Sequence, residues 1–162
     1  LELFRDPPAW LRIVAGLGAG LGVTILGGLV FALVCHLFLK LSEGQGRVGQ
    51  TVAVVFWAGL IAYGLKTVLS WIVLALGGGV SLAALNAASL IPDADPQGLP
   101  FQVASMFGDP FVWWMIGVVM IGMAYAHRLP LARSATVVAA TYVLLAAVMI
   151  GFSLVGKALS GA

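Results

Sequence analysis

Few side chains in this chain could move a proton, hold a metal or attack a substrate: His36, His127, Cys35, Glu43, Asp93, Asp95, Asp109 and Lys66. Asp93 and Asp95 form a carboxylate pair on a proline-flanked stretch. A hard divalent cation takes about six or more oxygens, so two acids alone do not make a site. His36 and His127 each sit near the end of an apolar run; a zinc site built on both would need at least one more ligand. Cys35 is the single cysteine, which excludes an internal disulfide and a C-x-x-C motif, and it reads as a small apolar packing residue. The serines and threonines have no base at helical spacing, and neither a GK[ST] phosphate loop nor H-E-x-x-H occurs. The sequence therefore points to no enzyme, no metal and no cofactor. Lys66 stands apart, because a lysine inside an apolar run is a functional candidate by default, while its long stem can also snorkel to an interface.

The elements that position these residues follow from composition. Of 162 residues, 62% are apolar and 9% charged, against about 45–50% and about 25% in soluble domains. With a mean hydropathy of +1.11, this is an integral membrane composition. The formal charge of +2 is too small and scattered for a nucleic-acid footprint.

Four apolar runs are long enough to span a bilayer, at about 13–39, 51–76, 110–126 and 134–155. The first follows Pro7-Pro8, and its glycines form small-xxx-small pairs, Gly16 with Gly20 and Gly18 with Gly22; such pairs let neighbouring helices approach. The second contains Lys66 and reads as one helix, with the ammonium at the far interface. Between spans two and three, residues at about 80–91 are too few to cross and read as an interfacial or re-entrant helix, followed by a polar loop over about 92–109. Asp109 precedes Pro110 as an N-cap would. The fold expected is all-α transmembrane, one domain over 1–162, with four spans as two hairpins.

The hairpin turns carry Lys40, Arg47, Arg128 and Arg133, whereas the loop between the hairpins carries aspartates and no base. The positive-inside rule places the turns in the cytoplasm, with Arg5 and Arg12 voting the other way. Lys40, Arg47, His127, Arg128 and Arg133 then form a candidate surface for lipid or a protein partner. Transport would need intramembrane polar groups along a path; Lys66 qualifies, with Thr24, Thr67, Ser70, Thr136 and Thr141 as minor members.

Two segments resemble a known family. The turn Gly44-Gln45-Gly46-Arg47-Val48-Gly49-Gln50-Thr51, after a helix ending His36-Leu37-Phe38-Leu39-Lys40-Leu41, is similar to the glycine-turn, basic residue, Gln-Thr joint of bacterial Yip-domain membrane proteins. Asp109-Pro110-Phe111-Val112-Trp113-Trp114, followed by an apolar helix and His127-Arg128-Leu129, resembles that family's second element. Gln45 departs from the pattern, where glycine is common. The resemblance covers about residues 7–155. It implies five spans, one of them preceding Leu1, and a bacterial inner-membrane protein. Eukaryotic relatives act as adaptors for prenylated Rab GTPases, which a bacterial member would lack. The expected function is a membrane scaffold or adaptor that binds lipid or protein, with self-association compatible; the alternative is a small-molecule or ion transporter.

Overall fold

A computed structural model describes the backbone of residues 8–75, 86–91 and 98–159, and within these the side chains outside 9–20 and 157. Five α-helices account for most of it: α1 (Ala9–Leu41), α2 (Val48–Ala75), α3 (Leu99–Phe107), α4 (Pro110–His127) and α5 (Leu131–Leu159). Four contain segments long and apolar enough to cross a membrane: Leu21–Leu41, Val48–Ala75, Pro110–His127 and Leu131–Gly156. Among the described residues there is no strand.

The two hairpins, α1–α2 and α4–α5, close on each other. Helix α2 packs on α4 and α1 on α5, so each long helix has two neighbours in a four-membered ring. The centre is filled by small and medium side chains: Ala32, Cys35 and Leu39 of α1, Val55 and Ala58 of α2, Ile116, Val119 and Met123 of α4, Val137 and Val138 of α5. On α1, α2 and α4 they recur at spacings of three, four and seven, the helical stripe. The large apolar residues on the opposite faces, such as Leu26, Trp57, Trp71 and Phe152, are exposed, as suits helices whose outer surface meets lipid rather than water.

Of the first span's expected glycine pairs, only Gly22 falls among the described side chains. Gly22 and Gly27 have open space where a side chain would go, and only the ring of Phe56 approaches Gly28, 3.4 Å from its would-be Cβ. The close approach is instead at Gly122 of α4, where a Cβ would lie 2.6 Å from Val54 Cγ1. Gly16, Gly18 and Gly20 fall among the side chains outside the description.

The described parts of the connection between the second and third spans hold two helical segments. Residues 80–85 of the expected interfacial helix lie outside the described residues, as do Asp93 and Asp95. The described remainder is a short 3-10 turn, Ala87–Leu90, capped by the Asn86 side chain. Within the stretch expected to be loop, α3 forms; Pro100, which reads as a loop residue, occupies the first turn of the helix, where its missing N–H costs nothing. Helix α3 is tied down by Trp113 Nε1, which donates to Phe107 O at 2.6 Å, and by Gln102 Nε2, which donates to Ser153 Oγ at 2.8 Å. The rings of Phe107, Trp113 and Tyr142 pack together with centroids 5.6–6.5 Å apart.

Candidate functional site

The site begins with how α1 stops and α2 starts. The last turn of α1 closes through Ser42 N–H to Phe38 O at 3.0 Å and Gly44 N–H to Leu39 O at 2.8 Å. Glu43 takes the left-handed conformation, φ 67°. Helix α2 then opens with a capping arrangement: Arg47 N–H donates to Gln50 Oε1 at 2.9 Å. Gln50 occupies the third helical position, where a glutamine reaching back satisfies the cap amide. The next residue, Thr51, is thereby placed on the inner face of the first turn and is fully buried.

Thr51 is the centre of a polar chain that joins three helices. Its Oγ1 lies 2.8 Å from His36 Nδ1 of α1 and 2.8 Å from His127 Nε2 at the end of α4. The two imidazole centroids are 5.4 Å apart. His127 is fully buried while His36 is half-buried. The hydroxyl has one proton, so it donates to one ring and accepts from the other, or turns to Arg47 O at 3.4 Å. His127 Nδ1 has no hydrogen-bond partner.

The glycine turn wraps His127. A Cβ on Gly44 would lie 2.8 Å from His127 Nδ1 and 2.7 Å from Leu39 O; one on Gly46 would lie 2.8 Å from Ala126 O and from the imidazole carbons. Glycine is needed at both positions because of this approach. Gln45 N–H donates to His127 O at 3.0 Å, joining the first turn to the second. There α4 ends on Arg128 in the left-handed conformation, φ 54°, with Leu129 N–H returning to Ala124 O at 3.0 Å, a Schellman-type closure.

Around this buried joint the bases are exposed: Lys40, Arg47, Arg128 and Arg133. Arg133 is engaged, donating to Ser42 O at 3.2 Å and pairing with Glu43 at 3.4 Å.

At the opposite end of the bundle, Asp109 caps α4. Its Oδ1 accepts from Phe111 N–H at 2.9 Å, and its Oδ2 accepts from Lys66 Nζ at 2.5 Å. The ammonium lies 5.6 Å from the Phe111 ring centroid. Burial pushes the Asp109 carboxyl up, but the hydrogen bonds from Lys66 and the Phe111 amide prevail and hold it below its ordinary value.

Residues 4–154 match the family model of the Yip1 domain. The chain belongs to the Yip1-domain family. No curated protein and no solved structure matches it.

In this Yip1-domain chain the candidate residues are redistributed. Lys40, Arg47, Arg128 and Arg133 are exposed at the two turns, which the Gln45–His127 backbone bond holds side by side. His127 does not join them at the surface. The correction has a steric cause: the Gly44–Gly46 turn lies directly on the ring and seals it. His36 and His127 do meet, but through the Thr51 hydroxyl; among the described residues no third His, Cys, Asp or Glu completes a metal-ligand group. Lys66 reaches the far end of the bundle, where the Asp109 carboxylate receives it rather than the interface alone. Thr67, Ser70, Thr136 and Thr141 donate to carbonyls four residues back in their own helices. Thr51 and Gln50 carry the joint; sequence reasoning singled them out only as the Gln-Thr end of the family resemblance and gave them no chemical role. Their signal was present: a glutamine three residues after a turn residue at a helix start is a capping pattern.

Proposed function

We propose that this Yip1-domain protein is a non-enzymatic adaptor in a bacterial inner membrane, and that the face formed by its two basic turns lies in the cytoplasm and binds anionic lipid head groups or a protein partner. The observation that carries the reading is the joint itself. The backbone bond from Gln45 to His127 and the Thr51 bridge hold the two turns edge to edge, while Lys40, Arg47 and Arg128 stay exposed on the outside. Fixed cations at a membrane surface attract anionic head groups at about 1 kcal/mol per base. The transporter alternative loses support from the pairing of Lys66 with Asp109 and from the threonines and serines satisfied within their own helices.

Lipid retention on the purified full chain tests this, in nanodiscs of phosphatidylglycerol and phosphatidylcholine. Replacing Lys40, Arg47 and Arg128 together by glutamine should reduce the preference for the anionic lipid by up to about two orders of magnitude, from about 1 kcal/mol per base. An unchanged preference removes the lipid arm. A single cysteine at Gln45, with Cys35 replaced, should resist an impermeant thiol reagent applied to intact cells. Reaction from outside would invert the topology and end the cytoplasmic-adaptor reading.

A further inference from the structure

We infer that the His36–Thr51–His127 chain makes the joint beneath the basic face proton-responsive: uptake of a proton at His127 opens the glycine turn. This concerns regulation of the face proposed above, and the geometry that carries it is independent of what that face binds.

A neutral imidazole has one N–H. On Nε2, that proton is donated to Thr51 Oγ1, and the Thr51 hydroxyl is free to donate to His36 Nδ1. His127 Nδ1 is then a bare nitrogen against the turn, the cheaper kind of orphan. An imidazolium has an N–H on both nitrogens. The second would be sealed at Nδ1, where no partner is in reach and Gly44 closes the space. The neighbouring Leu39 carbonyl already accepts from Gly44 N–H at 2.8 Å and Ser42 N–H at 3.2 Å. A buried charged donor without an acceptor is among the more costly polar defects. The closed joint therefore excludes a proton that the open joint, with Nδ1 in water, accepts.

The charges around the ring favour the same outcome. Helix α1 brings His36 and Lys40, the start of α2 brings Arg47, Arg128 follows His127 directly, and α5 brings Arg133. Burial of the ring opposes a positive charge in the closed joint first, and His36 and Lys40 add to it. The acid on this face, Glu43, is exposed and paired with Arg133 at 3.4 Å. A His36 imidazolium, by contrast, has an outlet: it donates to Thr51, whose hydroxyl turns to Arg47 O. His127 has none.

The sign follows from proton counting. The closed joint binds fewer protons than the open one, so its advantage is complete above the ordinary imidazole value of about 6.5 and shrinks as pH falls below it. For one proton the open population grows by up to about tenfold per pH unit.

Hydrogen exchange on the full chain in nanodiscs reads this out, because the Gln45 amide is bonded to the His127 carbonyl. Protection is taken relative to the unstructured rate at the same pH, from about pH 7.5 to about pH 5, the range that brackets the ordinary imidazole value. In the natural sequence, protection over residues 44–46 should fall by up to about tenfold per unit below about pH 6.5, while the middle of α2 holds. His127→Gln should make it independent of pH, and His36→Gln should keep the slope. A flat profile in the natural sequence overturns the inference, as does a slope that survives His127→Gln or vanishes only in His36→Gln. Should His127→Gln fail to fold, the natural profile and His36→Gln decide. Lipid preference absent at every pH, with the slope intact, would sink the adaptor reading and leave this one standing.

Discussion

Replacing Thr51 by valine removes one oxygen and keeps the shape of the side chain. The structure says what that oxygen holds: two imidazoles, each at 2.8 Å, one in a fully buried residue. The loss at His127 is a buried ring nitrogen left unsatisfied, about 1–3 kcal/mol. The loss at half-buried His36 is an ordinary net hydrogen bond, about 0.5–1.5 kcal/mol. Together these give about 2–4 kcal/mol of destabilisation, concentrated at the joint. Thr51→Ser keeps the hydroxyl and deletes one methyl group, at a cost of about 1 kcal/mol. Equilibrium unfolding in mixed micelles compares the two variants, and a double-mutant cycle with His127→Phe isolates the shared bond. The coupling should be about 0.5–3 kcal/mol, as for residues in one hydrogen-bond network. If Thr51→Val is no worse than Thr51→Ser, or if Thr51→Val and His127→Phe simply add, the bridge does not hold the joint and the reasoning fails.

Gly46→Ala should destabilise by about 1–3 kcal/mol through overpacking, since its Cβ would meet Ala126 O and the His127 ring, whereas Gly49→Ala, with open space at its Cβ, should stabilise by a few tenths to about 1 kcal/mol; thermal unfolding of the pair checks the contrast. Lys66→Met, which snorkelling alone would leave neutral, should be clearly destabilising, because it strands the Asp109 carboxylate, though by less than the about 3–5 kcal/mol of a fully buried pair; adding Asp109→Asn should recover part of the loss in the same assay. The lowered Asp109 carboxyl contributes stability that is complete above the ordinary aspartate value of about 3.9 and is lost as pH falls through its folded value; unfolding followed against pH should show this as an acid limb that disappears in Asp109→Asn.

The spans were legible because bilayer crossing is a one-dimensional property: enough consecutive apolar residues suffice. Their ends were less so. Helix α2 begins at Val48 and α5 at Leu131, earlier than the apolar runs, because interface residues such as Gln50 and Arg133 are polar yet helical. Helix α3 was hidden by its proline, which breaks a helix interior but suits a first turn. The candidate site was legible in its cations, since exposed bases at hairpin turns announce themselves. His127 was misread because hydropathy gives depth in the membrane and says nothing of facing. Its burial depends on a threonine 76 positions away and on two glycines from another turn, relations no local pattern encodes. The Lys66–Asp109 pair was missed for the same reason: each half had a sufficient explanation of its own, as snorkel and as cap.

Helix α4 has 18 residues where α2 has 28, or about 27 Å against about 42 Å at 1.5 Å per residue. A longer helix meets a thick or thin bilayer by leaning. Helix α4 has no such slack, since one end is fastened at His127 and the other at the Asp109–Lys66 pair. It acts as a caliper on the membrane beside it: in a hydrocarbon layer of about 30 Å, either the leaflet dimples locally or the ion pair is drawn below the head groups. Acyl-chain length thus becomes a mechanical load on the fold, with shorter chains relieving it and longer chains pulling on the bonds that pin the two ends.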